Sequence, residues 1–398
     1  QYQIDDIMYE AEDDEREVDD IFFFNKFLQH CKQNNIEYQQ ILCDLGVTLP
    51  PNVFSDACLE ELIGEMLLEQ KEARWPRQQL TQFCHFDKIV ECFQECENIV
   101  FMCGAGMSVS AGIPDFRSEN GIYSQLDKYN LEHPTDMFDL TFFAKNPIPF
   151  YSFAPEIIPQ QKYQPTFSHI FLKHLFQLGK LRRVYTQNID GLERKAGLPA
   201  DLVIPCHGCF DFATCQSCGF QTQFEVYSQI INQRRIPLCP KCSSRESCSL
   251  SEDVPKCILK PNIVFFGDRL PNEFENSIDE DFAVADLVVV IGSSMKVKPF
   301  CGTVGRVPRY VPQLLINVEP NKTHYFDCQL VGYSDIILGE IARALNWTEL
   351  LQTWNRNAQK RNVELSSNQT MGKNFQVPLV GQNVQIKGNG TDHISFEK

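Results

Sequence analysis

The sequence predicts a doubly wound α/β fold, a parallel sheet with a smaller domain inserted into it and a helical module ahead of it. Three observations carry that prediction. Asn98 to Cys103, Leu287 to Ile291 and Leu314 to Ile316 are continuous apolar runs of strand length, the pattern of strands covered on both faces of a parallel sheet. Each run, like Leu181 to Tyr185, ends in small or polar residues, and open α/β sheets bind their ligands at the carboxyl ends of the strands. Two Cys-x-x-Cys pairs, Cys215 with Cys218 and Cys239 with Cys242, then interrupt the strand pattern at the spacing of a zinc ribbon.

Taken in order, residues 5 to 20 hold ten acids against the single basic Arg16, and such a self-repelling block predicts disorder over residues 1–20. From Ile21 the pattern turns helical through Phe23, Phe24, Phe27, Leu28 and Cys31, and a second helix is expected from Ser55 or Asp56 through Leu59, Leu62, Ile63, Met66 and Leu67. Residues 21–70 form a helical module on this reading, and residues 71–84, with Trp75-Pro76, a linker.

After the first strand, Gly104-Ala105-Gly106 makes a turn that lets backbone approach a ligand, with a helix expected to begin near Ser108. The third glycine of a dinucleotide fingerprint would fall at Val109, so the pair alone equally describes an ordinary strand-to-helix turn. Ile113-Pro114-Asp115-Phe116-Arg117-Ser118 decides for a ligand, because an acid, an aromatic ring and a guanidinium side by side suit a loop that closes over one. The sheet is therefore read as Rossmann-like. Residues 121–160, rich in Phe, Tyr and Pro, read as short helices, either folded over an apolar pocket or simply packed as an insertion. Thr166 to Leu178 reads as an amphipathic helix, and Thr186-Gln187-Asn188-Ile189-Asp190 leaves the end of the strand that follows it. Cys206-His207-Gly208 lies just before the zinc cysteines; a lone histidine is more often structural than catalytic, though a neutral imidazole with its usual pKa of ~6.5 can accept a proton. Four thiolates leave no open coordination position, so the zinc is expected to be structural. In the tail, Phe375-Gln376-Val377 and Val384-Gln385-Ile386 alternate well enough for two short strands within residues 351–398.

Composition bounds the function. The net charge is −16 over 398 residues, which disfavours direct binding to nucleic acid and equally suits basic partners such as lysine-rich tails or solubility alone. No apolar run approaches the ~18 residues of a membrane span, and the first residues carry no signal-peptide pattern. A soluble, intracellular protein is expected, and 17 cysteines in that setting argue for metal binding rather than a disulfide framework.

Gly104-Ala105-Gly106-Met107-Ser108-Val109-Ser110-Ala111-Gly112-Ile113-Pro114-Asp115-Phe116-Arg117-Ser118 resembles the signature of the sirtuins, the NAD-dependent protein deacylases, and four further motifs match in order over residues 85–350. The resemblance is to the nuclear class I subfamily. It implies a catalytic domain over 85–350, with a helical insertion near 121–160 and a zinc-binding small domain near 205–258. It implies an NAD site made by Gly104, Ala105, Gly106, Ser108, Ile113, Asp115, Phe116, Arg117, Tyr123, Gln187, Asn188, Ile189, Asp190, Gly292, Ser293, Ser294, Asn317, Val318, Glu319 and Ser334. His207 is implied as the general base, with Asn188 and Phe116 at the reacting ribose. Lys260-Pro261-Asn262-Ile263-Val264-Phe265-Phe266-Gly267 resembles the loop on which an acyl-lysine peptide lies as an added strand, so Val264, Phe265, Phe266 and Gly267 would contact substrate. The implied reaction moves the acyl group of a modified lysine, on histone tails among other proteins, to ADP-ribose with loss of nicotinamide, one structural zinc being held aside. A nuclear location is implied, with the cytoplasm second, and so is a part in gene silencing or transcriptional and metabolic regulation. Transfer of ADP-ribose to protein, an NAD-responsive scaffold and a hydride-transferring dehydrogenase are the competing readings. Cys103, Met107, Cys209, Asp268 and Val318 depart from the family pattern without removing a chemical group.

Overall fold

The computed structural model describes residues 37, 38, 42, 58–60, 62–64, 77–118, 121–159, 162–242, 257–298, 300–367, 376–380, 385–387 and 394–397. The expected acidic segment 1–20 and most of the 21–70 module and 71–84 linker lie outside them. Two compact units divide the chain: residues 1–79 with 297–310, and residues 80–296 with 311–398. In the first, Tyr38, Leu42, Cys58–Glu60 and Leu62–Gly64 are helical, and Leu42, Leu59 and Ile63 are buried.

The second unit is built on β1 (Ile99–Cys103), β2 (Leu181–Thr186), β3 (Val203–Pro205), β7 (Leu287–Ile291), β8 (Gln313–Asn317), β9 (Cys328–Val331) and a terminal hairpin, β10 (Gln385–Lys387) and β11 (Ile394–Glu397). Their order is β10-β11-β9-β8-β7-β1-β2-β3. Every neighbouring pair is parallel except β10 with β11. The chain leaves the middle at β1, builds outward to β3, then returns to β7 and builds the other way. This reversal makes β1 and β7 the switch point, where open sheets bind nucleotides. All five residues of β1 and all five of β7 are buried, which is why these stretches read as unbroken apolar runs.

Helices Phe86–Glu95, Phe167–Gln177 and Ser334–Ala344 supply Phe93, Phe171, Leu172, Ile337 and Ile341 to the main core. Helix Phe167–Gln177 starts where Thr166 and His169 satisfy each other's orphan groups in a capping box.

A second sheet, β5-β4-β6, comprises β4 (Gly208–Cys215), β5 (Gln221–Gln223) and β6 (Leu259–Ile263), all antiparallel. It shares one apolar cluster with the aromatic segment 122–158, in which Phe138, Phe143, Phe150, Phe153 and Phe265 pack edge to face. That segment forms short 3-10 and α turns, including Leu140–Lys145 and Ile148–Phe153, and of the two expectations it meets the packed insertion.

Two local expectations are corrected. No α-helix follows the glycine turn; two 3-10 turns, Ala105–Met107 and Val109–Ala111, end at Gly112 in the left-handed region, two residues before a proline that disfavours helix. In the tail, Gln385 and Ile386 are in a strand, but their partner is Ile394–Glu397. Gln376 and Val377 are not in a strand, because Asn362 accepts from Val377 N at 2.7 Å and donates to its carbonyl at 3.0 Å, taking both groups a ladder would use. Phe375 and Val384 lie outside the described residues.

Candidate active site

The site begins as a lock between two strand ends. Gly104 N donates to the Ile291 carbonyl at 2.9 Å and Gly106 N to the Gly292 carbonyl at 2.8 Å. A Cβ on Gly104 would stand 2.6 Å from the Gly292 carbonyl oxygen, and one on Gly292, at φ +62°, 2.4 Å from Met107 N. The glycines therefore let the 104–106 turn press against the end of β7 as well as leaving its outer face open.

The residues leaving β2 are bound to the same lock. Gln187 N donates to the Cys103 carbonyl at 2.9 Å, and the buried Asn188 donates through Nδ2 to the Gly104 carbonyl at 3.1 Å. Ser293 Oγ donates to Gln187 Oε1 at 3.0 Å, and Ser108 Oγ to Asp190 Oδ2 at 2.7 Å. Ala105 and Ile189 are half-buried, and Ser294 is exposed beyond Ser293. Three strand ends thus hold Gly104, Ala105, Gly106, Ser108, Gln187, Asn188, Ile189, Asp190, Gly292, Ser293 and Ser294 in one place.

The loop after the turn folds back on itself. Asp115 Oδ1 accepts from Arg117 N and Ser118 N at 2.8 and 2.7 Å, and the Asp115 and Phe116 carbonyls accept from Ile122 and Tyr123 N at 2.7 and 3.1 Å. Phe116 lies edge-on to both Tyr123 and Phe138, with centroids 5.9 and 6.0 Å away. Ile113 is half-buried and Arg117 exposed. On the far side, Asn317 is half-buried at the end of β8, while Val318 and Glu319 are exposed. Ser334 is buried, its Oγ 2.9 Å from Ser168 Oγ.

His207 is half-buried, and its carbonyl accepts from Val264 N at 2.8 Å, which ties the backbone at His207 to the loop after β6. Burial lowers its pKa to about 4, with Arg117 adding to the shift and a backbone interaction at Gln187 opposing it. The ring is neutral at physiological pH and able to accept a proton. In that loop Val264 is half-buried, and Phe266 and Gly267 are exposed. Phe265, expected to contact substrate, is 2% exposed, between Phe143 and Phe150 at 5.3 and 5.0 Å. The strand ends at Ile263, and these ring contacts place Phe265 behind the loop it belongs to. Asp268 fastens the loop, accepting from Lys260 Nζ at 2.8 Å and Phe265 N at 3.0 Å.

Cys215, Cys218, Cys239 and Cys242 form a candidate metal centre. The Sγ atoms of Cys215 and Cys242, and of Cys218 and Cys239, stand 3.8 Å apart. A tetrahedron with Zn–S of ~2.3 Å has edges of ~3.8 Å, so the four fit zinc with no open position.

Sequence reasoning missed several residues that hold this site. Asp335 accepts from Ser110 Oγ and Ser168 Oγ, both at 2.6 Å, and His169 and Glu193 are buried behind Asp190. None of them left a trace in the sequence: Glu193, in the short helix Leu192–Ala196 beside Arg194 and Lys195, reads as an ordinary first-turn acid.

Fold and site together define an α/β protein with a nucleotide crevice and a tetrathiolate module. Residues 104–299 match the Sir2 family. The chain is 41% identical over 73% of its length to the NAD-dependent histone deacetylase sirtuin-1 of Drosophila melanogaster, covering 36% of that protein. It is 39% identical over 80% of its length to human NAD-dependent protein deacetylase sirtuin-1, covering 41%, and 36% identical over 81% to the NAD-dependent histone deacetylase SIR2 of Saccharomyces cerevisiae, covering 62%. A solved structure described under "Structural Basis for the Mechanism and Regulation of Sir2 Enzymes" superposes with a TM-score of 0.57 at 26% identity, over 66% of this chain and 97% of that one. The chain belongs to the Sir2 family. It spans 36% to 62% of the length of these curated relatives.

Proposed function

We propose that the chain is an NAD-dependent protein lysine deacetylase. The observation that carries the reading is one crevice in which a neutral, half-buried His207 and the buried Asn188 lie beside a switch-point glycine turn. The names of the relatives, NAD-dependent histone or protein deacetylases, support it.

The groups around the turn suit a dinucleotide: open backbone at Gly104 to Gly106, hydroxyls on Ser293 and Ser294, and Asn317 and Glu319 at the end of β8. Bound there, NAD supplies an electrophilic ribose carbon and a leaving nicotinamide. Ile113 and Asp115 hold the carboxamide, Phe116 covers the reacting face, and Arg117 stands near phosphate. Tyr123, packed on Phe116, stiffens that cover. Asn188, Gln187 and Asp190 orient the ribose, with Ile189 beside them, Val318 near the adenosine ribose and Ser334 near adenine. His207 would accept the proton of a ribose hydroxyl, leaving that oxygen free to take the acyl group; the C–N bond to lysine would break, water would complete the reaction, and free lysine, nicotinamide and O-acyl-ADP-ribose would leave. The exposed edge at Val264, Phe266 and Gly267 pairs with an extended peptide, so recognition rests on backbone and substrate choice is broad. Histone tails are the proposed substrates, the nucleus the proposed location with the cytoplasm second, and silencing or transcriptional regulation the proposed role. No helix among the described residues is long and apolar enough to cross a membrane.

The test is mass spectrometry of an acetyl-lysine histone peptide incubated with NAD and either the intact protein or His207→Ala. Equal yields of deacetylated peptide and O-acetyl-ADP-ribose from the intact protein alone are expected. NAD binding without either product would end the proposal.

A further inference from the structure

The glycine turn has no α-helix of its own to hold it. After Gly104 the chain makes two 3-10 turns and stops at Gly112, and such turns carry few hydrogen bonds of poor geometry. Another contact must fix the turn against the rest of the crevice. Ser110, the middle residue of the second turn, makes one: its Oγ donates to Asp335 Oδ2 at 2.6 Å.

Asp335 comes 225 residues later. It follows Ser334 in the first turn of helix Ser334–Ala344, just after β9, and is 2% exposed. Its other oxygen accepts from Ser168 N at 2.8 Å and from Ser168 Oγ at 2.6 Å, at the head of helix Phe167–Gln177. Ser334 Oγ stands 2.9 Å from Ser168 Oγ. Ser168 has one hydroxyl proton, and the shorter bond, to the carboxylate, takes it; across the longer one Ser334 is the donor. One carboxylate thus gathers the glycine turn and the starts of two helices.

The chemistry of the cluster explains why an acid stands there. No lysine or arginine pairs with Asp335 among the described residues. Its charge is balanced by dipoles instead, because Ser168 N is an orphan donor of its helix and the carboxylate lies at the positive ends of both helices. Hydroxyl contacts of 2.6 Å are those made to an ionised carboxylate. Burial raises the pKa of Asp335, and the Ser110 and Ser168 donors oppose the rise. An ionised carboxylate accepts on both oxygens, so it can hold donors from two directions at once.

The place of this cluster gives it a use. On the reading of the crevice as a dinucleotide site, on which this inference rests, the glycine turn meets the half of the ligand that carries nicotinamide. The ends of β8 and β9, joined by Gly332 N to the Asn317 carbonyl at 2.9 Å, meet the adenosine half. We propose that Asp335 is a positioning residue which, through Ser110 and Ser168, fixes the spacing between the two halves of the dinucleotide site without touching the ligand. A ligand that spans both halves depends on that spacing. A fragment that fills one half does not.

ADP-ribose spans both halves, and AMP and ribose 5-phosphate divide it between them. Binding of ADP-ribose is measured by calorimetry and of the fragments by ligand-observed NMR. Ser110→Ala should weaken ADP-ribose about tenfold and Asp335→Ala up to about a hundredfold, since misplacing cooperating groups by ~1 Å can cost ~100-fold. Both fragments should bind the variants as they bind wild type, because only the linked ligand gains from correct spacing. Asp335→Asn, whose carbonyl can accept from Ser168 and whose amide can donate to Ser110 Oγ, should fall between wild type and Asp335→Ala. The double variant should bind ADP-ribose no more weakly than Asp335→Ala, because the serine acts only through the carboxylate. Zinc content and denaturation midpoints report folding, and if Asp335→Ala does not fold, Ser110→Ala and Asp335→Asn carry the test. Unchanged ADP-ribose affinity in Ser110→Ala, or a loss shared equally by the two fragments, overturns the proposal. Wild-type protein that binds no ADP-ribose ends the dinucleotide reading itself, and this inference with it.

Discussion

Replacing Gly292 by alanine tests the lock between β1 and β7. Gly292 sits at φ +62°, and a Cβ there would meet Met107 N at 2.4 Å and the Gly106 carbonyl carbon at 2.8 Å, both backbone atoms. A left-handed conformation costs a non-glycine residue ~1–2 kcal/mol, and forcing atoms into packed space ~1–3 kcal/mol more. The sum is ~2–5 kcal/mol, a large part of the ~5–15 kcal/mol typical of a whole protein. Gly179→Ala is the control, because Gly179 has φ +74° with nothing within 4 Å of its would-be Cβ. It bears the conformational cost alone. Denaturation midpoints of both variants and NAD affinity by calorimetry form the assay. Gly292→Ala should lose the additional ~1–3 kcal/mol and weaken NAD binding, while Gly179→Ala leaves binding intact. Equal destabilisation by the two, with NAD affinity unchanged in both, would refute the interlock.

Cys218→Ser, or prolonged chelation, should release the single zinc of the four-cysteine centre and melt the β4-β5-β6 sheet, read as loss of zinc by mass spectrometry and of amide protection in that sheet. His207 makes a prediction about pH. Its folded pKa, about 4, lies below the unfolded value of ~6.5. The unfolded chain therefore binds the extra proton, and the contribution of this histidine to stability, complete above pH ~6.5, is lost as pH falls towards 4. His207→Gln should flatten that part of the stability profile. Phe265→Ala should cost ~3–5 kcal/mol as a core deletion, whereas Phe266→Ala, at an exposed position, should change stability by under ~1 kcal/mol and raise the KM for peptide.

The sheet was legible because buried parallel strands must be apolar throughout, and Ile99–Cys103 and Leu287–Ile291 have no polar residue to obscure the pattern. The crevice was legible because strand ends are the only places where such runs release Gln187, Asn188, Asp190 and Ser293. What escaped depends on contacts between segments far apart in sequence. Asp335 looks like an ordinary first-turn acid until Ser110 and Ser168 are brought to it. Phe265 and Phe266 are identical in sequence terms, and only packing against Phe143 and Phe150, more than a hundred residues earlier, decides that Phe265 is the buried one. The tail strand was misplaced because side-chain amides of Asn355 and Asn362 hold backbone that local alternation assigned to a sheet.

The cluster shared by the aromatic segment and the tetrathiolate module has a consequence for the order in which the chain matures. Phe138 and Phe150 come between β1 and β2, yet their partner Phe265 follows the last zinc cysteine. A ribosome adding ~5–20 residues per second must make more than a hundred further residues before Phe150 can be covered. For those seconds the aromatic segment has nothing to close against, and metal must be captured before it has. Such a nascent chain exposes its stickiest surface longest, so growth in zinc-poor medium should lower soluble yield more than the stability of the finished protein would suggest.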